Sequence, residues 1–208
     1  TVQDVSSMLV CQVAGIKEGD FVVDVCAAPG GKALHAAETA CRVSARDLTE
    51  YKINLINENI NRMGITNVDT KVWDATQSDS GILGQADVVI ADLPCSGLGL
   101  IGKKPDIKYK LSEEQLNELA ELQKSILTIV KDYVKPGGVL MFSTCTVNIE
   151  ENMNNRDWFL SNFDFEAESL DINLPEGLKS ETTKNGYLQL LQGLHNTDGF
   201  FIAKLRRK

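Results

Sequence analysis

Asp24-Val25-Cys26-Ala27-Ala28-Pro29-Gly30-Gly31-Lys32 is the stretch on which the fold of this chain turns. The apolar run Phe21-Val22-Val23 leads into it, and a helical pattern from Ala33 leads out. A buried strand that turns sharply into a helix leaves backbone N–H groups without intrahelical partners, which suits a polar or anionic ligand. Gly30 and Gly31 permit positive φ or close backbone approach, and Pro29 stiffens the entry. Two phosphate-binding loops are excluded. A Walker A loop needs Gly where Cys26 stands and Ser or Thr where Ala33 follows the lysine. The Gly-x-Gly-x-x-Gly dinucleotide fingerprint is absent as well.

Outward from this stretch the chain alternates strands and helices. Residues 2–13 read as a short helical lead-in, with Val5, Met8, Leu9 and Gln12 at helical spacing. Strands are expected at 21–25, 42–45, 68–73, 86–91 and 139–143, with later ones at 163–168 and 199–205. Helices are expected at 33–40 and after Thr49, where Ile53, Ile56, Ile60 and Met63 share one face. Two more are expected after the capping pair Ser112 and Gln115 and after the cap formed by Asn148 and Glu151. Such β-α-β alternation implies an α/β fold, a mostly parallel sheet with helices on both faces. Sheets of this kind bind ligands at the carboxyl ends of their strands.

The 208 residues suffice for one α/β domain. No apolar run approaches the roughly 20 residues that span a bilayer, and no signal peptide opens the chain. The five cysteines are odd in number and include no Cys-x-x-Cys pair. That argues against a disulfide framework or zinc site and for a reducing, cytoplasmic setting. The protein is expected to be a monomer without a metal or a membrane partner. Its formal net charge of -8 argues, alone, against a nucleic-acid partner. The charge is uneven, however. Residues 103–110 hold four lysines and one acid, whereas residues 150–181 hold nine acids and two bases.

Three acids stand at successive strand ends: Asp47, Asp74 and Asp92. An acid after the second strand suits ribose hydroxyls. Asp74 is placed to accept from an adenine amine, and Asp92 to orient an ammonium group or a base's exocyclic amine. A Gly-rich loop with a ribose acid but no pyrophosphate fingerprint points to S-adenosylmethionine rather than NAD. Cys95 and Cys145 also lie at adjacent strand ends, while Cys11, Cys26 and Cys41 read as small buried hydrophobes. Thiolates beside lysines become nucleophilic. Methylation of a pyrimidine at carbon 5 needs such a thiol, because sulfur added at carbon 6 makes carbon 5 electron-rich. A second thiol can serve as acid or base when the adduct collapses.

At these residues the chain resembles the RNA 5-methylcytosine methyltransferases related to the Sun (Fmu) protein. The resemblance spans essentially the whole chain. It rests on 24–32, on Asp92-Leu93-Pro94-Cys95-Ser96-Gly97, on Lys104-Pro105-Asp106-Ile107-Lys108-Tyr109, on Ser143-Thr144-Cys145-Thr146 with Glu150-Glu151-Asn152, and on Asp198-Gly199-Phe200-Phe201. Thr1-Val2-Gln3-Asp4 resembles the entry to that family's catalytic domain.

The resemblance implies a Rossmann-like class I methyltransferase fold: a mostly parallel seven-stranded sheet with an antiparallel last strand. It implies that 1–208 is the catalytic domain, with 1–18 as lead-in and the family's N-terminal RNA-binding domain absent. It also implies Cys145 as nucleophile and Cys95 as the thiol that helps release the product. DNA cytosine methyltransferases place their nucleophile at the Pro-Cys position instead. Cys26, Ala27, Ala28, Pro29, Gly30, Gly31 and Lys32, with Asp47, Asp74 and Asp92, would hold S-adenosylmethionine. Lys103, Lys104, Lys108 and Lys110 would meet the phosphates of RNA, by this reading 16S ribosomal RNA. The target cytosine must be flipped or single-stranded. A different reading is a non-catalytic RNA-binding or assembly module that keeps the fold. Arg46, where an apolar residue is expected, and Leu93, where Ala is commoner, depart from the family pattern.

Overall fold

The computed structural model describes residues 3–208; Thr1 and Val2, where the lead-in was expected to begin, lie outside them. Helix α1 (Val5–Ala14) starts three residues later than the spacing suggested, because the Asp4 side chain accepts from the Ser6 N–H and caps it. Strand β1 (Phe21–Asp24) and helix α2 (Gly31–Ala37) flank the opening loop. Then come β2 (Arg42–Asp47), α3 (Glu50–Met63), β3 (Val68–Val72) and β4 (Ala86–Asp92). A short α4 (Ile107–Lys110) precedes the long α5 (Glu113–Val130), which carries the expected capping box of Ser112 and Gln115. The chain ends with β5 (Val134–Thr144), α6 (Asn155–Asn162), β6 (Phe165–Ala167), α7 (Glu181–Lys184), β7 (Tyr187–Leu190) and β8 (Phe200–Arg207).

The strand order is β3-β2-β1-β4-β5-β8-β6, with β7 also on β8. Strands β1 to β5 are parallel, and β8 runs antiparallel to β5, β6 and β7. Seven positions were expected and seven exist, but the outermost is shared by two short strands, β6 and β7. The sequence reading missed β7. It is four residues long, and its buried Leu188 and Leu190 are its only periodic signal. Alternate residues of the central strands face opposite layers. Val22, Ile90 and Met141 pack on the side of α1, α2 and α3. Val23, Val89, Leu140 and Phe142 pack against Ile126, Leu127 and Phe159 of α5 and α6. Both faces are covered, which is why these strands read as nearly continuous apolar runs.

Arg46 is accommodated on β2 by a buried ion pair with Asp79, 2.9 Å away, and lies over the ring of Tyr133. Cys41 is exposed rather than buried, since it sits in the bend before β2. Among the described residues, no helix is long and apolar enough to cross a membrane.

Two distant loops meet backbone to backbone at Gly99 and Gly199. The Gly99 N–H donates to the Cys145 carbonyl at 3.0 Å, and the Gly199 N–H donates to the Gly99 carbonyl at 2.9 Å. A Cβ on Gly99 would overlap the Gly199 carbonyl and lie 2.7 Å from the Cys145 oxygen. Backbone atoms cannot give way as a flexible side chain can, so Gly99→Ala is expected to lower unfolding free energy by about 3 kcal/mol in urea titration. Gly177→Ala, with nothing within 4 Å of the added atom, should change it by less than about 0.5 kcal/mol.

Candidate active site

The strand order reverses between β1 and β4, so a crevice opens at their carboxyl ends. The opening loop fills one side of it. Gly30 takes a φ of +107° at the start of α2, a conformation side-chain-bearing residues rarely adopt, and a Cβ there would only touch Ile56 of α3. That conformation accounts for the glycine. The loop stays registered with β2, because the Ala27 N–H donates to the Arg46 carbonyl at 2.8 Å.

A cavity of about 140 Å³ lies here, lined by Cys26, Ala27, Ala28, Pro29, Gly31 and Lys32, and by Asp24 and Asp92. Gly30 shapes the loop from behind and does not line the cavity.

The cavity's polar floor is a chain of charges. The Lys32 ammonium meets Asp92 Oδ2 at 2.5 Å and lies 5.4 Å from the centre of the Phe200 ring. Ser143 Oγ donates to Asp92 Oδ1 at 2.7 Å. Burial alone would lower the Lys32 pKa, but Asp92, by charge and hydrogen bond, together with Asp24, holds it above its ordinary value. Lys32 is therefore committed to the cavity and not to the outer surface.

Asp24 is a further member of the site, one to which the sequence pattern assigns no role. Its signal in the sequence is an acid closing an otherwise apolar strand. Asp24 is 1% exposed, and its Oδ1 has no hydrogen-bond partner. Burial pushes its carboxyl up to about 7, against the pull of Lys32.

The other two strand-end acids behave differently. Asp47 is buried and braces the loop: Oδ2 accepts from the Ala28 N–H at 2.9 Å, while Oδ1 takes the Leu48 N–H and the Lys52 ammonium. Asp74 is exposed, and its Oδ1 accepts from the N–H and hydroxyl of Thr76. The Trp73 N–H donates to the Asp47 carbonyl at 2.9 Å, so the two acids stand on adjoining strand ends.

The thiols meet beside this floor. Strands β4 and β5 pair with Asp92 opposite Ser143. Three residues on from one and two from the other, Cys95 and Cys145 reach the same level, with sulfurs 3.2 Å apart. The hydrogen bond from Cys95 holds the Cys145 thiol below its ordinary pKa, with Lys32 assisting and burial opposing. The same contact, with burial, holds Cys95 well above it. The direction of both shifts makes Cys145 the more acidic of the two thiols. Cys26, although in the loop, is raised by burial and lies outside this pair.

The basic strip divides. The Lys103 ammonium is held by Asp198 at 2.6 Å and Asp4 at 3.0 Å. Lys104 and Lys108 are exposed, and Lys108 lies 4.8 Å from the ring centre of the 80%-exposed Tyr109. The side chain of Lys110 lies outside the description. Among the described residues no cluster of His, Cys, Asp and Glu is placed to hold a metal ion.

The sheet order, the antiparallel β8 and a loop of this kind at the switch point define a class I methyltransferase fold. The chain matches the family of 16S rRNA methyltransferase RsmB/F over residues 12–206. It is 40% identical, over its full length and 48% of the relative's, to a Bacillus subtilis protein described as a probable ribosomal RNA small subunit methyltransferase B. It is 38% identical to ribosomal RNA small subunit methyltransferase B of Cronobacter sakazakii, over its full length and 47% of the relative's. Among solved structures, NSun6 from Pyrococcus horikoshii with SFG superposes with a TM-score of 0.86 at 31% identity, over 99% of this chain and 52% of that one. The chain belongs to the RsmB/F family, and fold and family are those of S-adenosylmethionine-dependent methyltransferases. It spans about half the length of the curated relatives it matches.

A carboxyl whose folded pKa lies above its unfolded value favours folding most at low pH. That advantage is lost as pH rises through the folded pKa. For Asp24 the window runs from 3.8 to about 7. Asp24→Asn should therefore gain stability over the parent as pH rises, by several degrees in unfolding midpoint between about pH 4 and about pH 8. A difference that does not change with pH would contradict the buried, ionising carboxyl.

Proposed function

We propose that this chain methylates carbon 5 of a cytosine in RNA, with 16S ribosomal RNA as substrate, through a covalent adduct between the base and Cys145. The observation that carries this reading is the pair of sulfurs 3.2 Å apart at the ends of β4 and β5, beside the cavity that Lys32 and Asp92 line.

The residues fit S-adenosylmethionine. Asp24 presents an unpartnered buried oxygen beside that cavity, which suits the ammonium of an amino acid. Asp47 and Asp74 stand on the adjoining strand ends for the ribose and the adenine amine. When bound, the cofactor supplies an electrophilic methyl group.

The chain's own part begins with the Cys145 thiolate, which forms a bond to carbon 6 and leaves carbon 5 as the nucleophile. Asp92 accepts from the base's exocyclic amine. Cys95, freed of its hydrogen bond to the thiolate, exchanges protons at the adduct. The Cys95 thiol gives its proton to ring N3 as the adduct forms; its thiolate then takes the carbon 5 proton while the sulfur–carbon 6 bond breaks and the electron pair returns to Cys145, and N3 releases its proton to solvent. Lys104 and Lys108 take RNA phosphates, and exposed Tyr109 offers a face for a splayed base. Lys103, already bound to Asp4 and Asp198, ties the start of α1 to the loop before β8.

Serine at either cysteine separates the two roles. Cys145→Ser is expected to cost about a thousandfold or more in methylation rate and to form no covalent complex with RNA. Cys95→Ser should form the adduct and fail to release it, so that protein–RNA complex survives denaturing electrophoresis. Near-normal methylation by Cys145→Ser would exclude it as the nucleophile.

A further inference from the structure

The sequence pairs Glu151 with Asn148 as a helix cap, a pattern that is silent on burial. Glu151 is wholly buried, in a wide helical turn of π type (Glu150–Asn154) that precedes α6. Such turns recur at functional sites. Among the described residues no cation pairs with its carboxylate, which is held by hydrogen-bond donors alone. Oε2 accepts from the Ser96 N–H at 2.8 Å and from Gln123 Nε2 at 3.1 Å. Oε1 accepts from Ser96 Oγ at 2.5 Å and Asn148 Nδ2 at 3.1 Å. Ser96 Oγ also lies 2.7 Å from Thr146 Oγ1.

Ser96 follows Cys95 and Thr146 follows Cys145. The carboxylate thus joins the two thiol-bearing loops through the residue next to each sulfur. An acceptor-only group with two oxygens can take four donors at once. A glutamine amide would turn N–H groups towards donors that need acceptors, and burial without partners is costly.

We propose that Glu151 is a positioning residue that holds Cys95 and Cys145 in sulfur–sulfur contact. This rests on the reading of those thiols as the reacting pair. It adds that their contact is imposed from behind, by a group that touches neither thiol nor substrate.

The test is the pH dependence of Cys145 alkylation by iodoacetamide, followed by mass spectrometry of the peptide that carries it. The parent should alkylate with a midpoint below the ordinary thiol range. Glu151→Gln should raise that midpoint by about one pH unit, a tenfold loss of rate at fixed lower pH. Ser96→Ala should move it in the same direction, and in a Cys95→Ala background Glu151→Gln should add no further shift.

A Glu151→Gln protein that unfolds cooperatively and binds S-adenosylmethionine like the parent, yet keeps the parent midpoint, overturns the proposal. So does a full shift that persists without Cys95. If Glu151→Gln does not fold, an unchanged midpoint in Ser96→Ala overturns it. An ordinary midpoint in the parent overturns the reading of Cys145 itself, and only that arm reports on it.

Discussion

The parallel pairing of β4 with β5 sets Asp92 opposite Ser143. A slip of one residue would turn every side chain on one strand to the other face. The apolar layers oppose that slip: on β4, Val89 would leave the side of α5 and α6 and Ile90 the other, and on β5 Phe142 and Met141 would exchange sides in the same way. The register that fills the core therefore also places the chemistry. It brings the hydroxyl of Ser143 to Asp92 and, a few residues on, one sulfur to another. The closeness of the Gly99 and Gly199 backbones then fixes the carbonyl of Cys145 from the outside.

The electrostatics follow from that placement. Three carboxylates share the floor between β1, β2 and β4; among the described residues Asp92 pairs with Lys32 and Asp47 with Lys52. Asp24 is left without a cation of its own, and burial raises its pKa accordingly. A region with surplus buried negative charge favours a positively charged guest. Beside it, the contact between the two sulfurs lowers the pKa of Cys145 and raises that of Cys95. The acidic net charge of the chain has little bearing on this, since the site's partners are local.

Much of the arrangement was legible in the sequence because strands carry their end residues with them. A run such as Asp87-Val88-Val89-Ile90-Ala91 can only be buried on both faces, so whatever follows it must emerge at the sheet's edge. That logic located Asp47, Asp74, Asp92, Cys95 and Cys145 without coordinates. It failed where function depends on contacts across the fold. Glu151 reads as a helix cap from its neighbours, and only the approach of Ser96, 55 residues away in the chain, reveals its inward role. The division of the lysines was equally hidden, because Asp198 reaches Lys103 from 95 residues away. Strand β7 lies between glycines at 186 and 193 and is too short for its period to register.

The central claim is that Cys145 is the sulfur that joins the base. RNA made with 5-fluorocytidine tests it directly, because fluorine at carbon 5 cannot leave as a proton does and the adduct persists. The protein is incubated with S-adenosylmethionine and fluorinated 16S ribosomal RNA, then digested, and the modified peptide is sequenced by mass spectrometry. The expected result is a nucleotide on the peptide that carries Cys145. An adduct on the Cys95 peptide, or methylation of ordinary RNA with no adduct on the fluorinated one, would contradict the account.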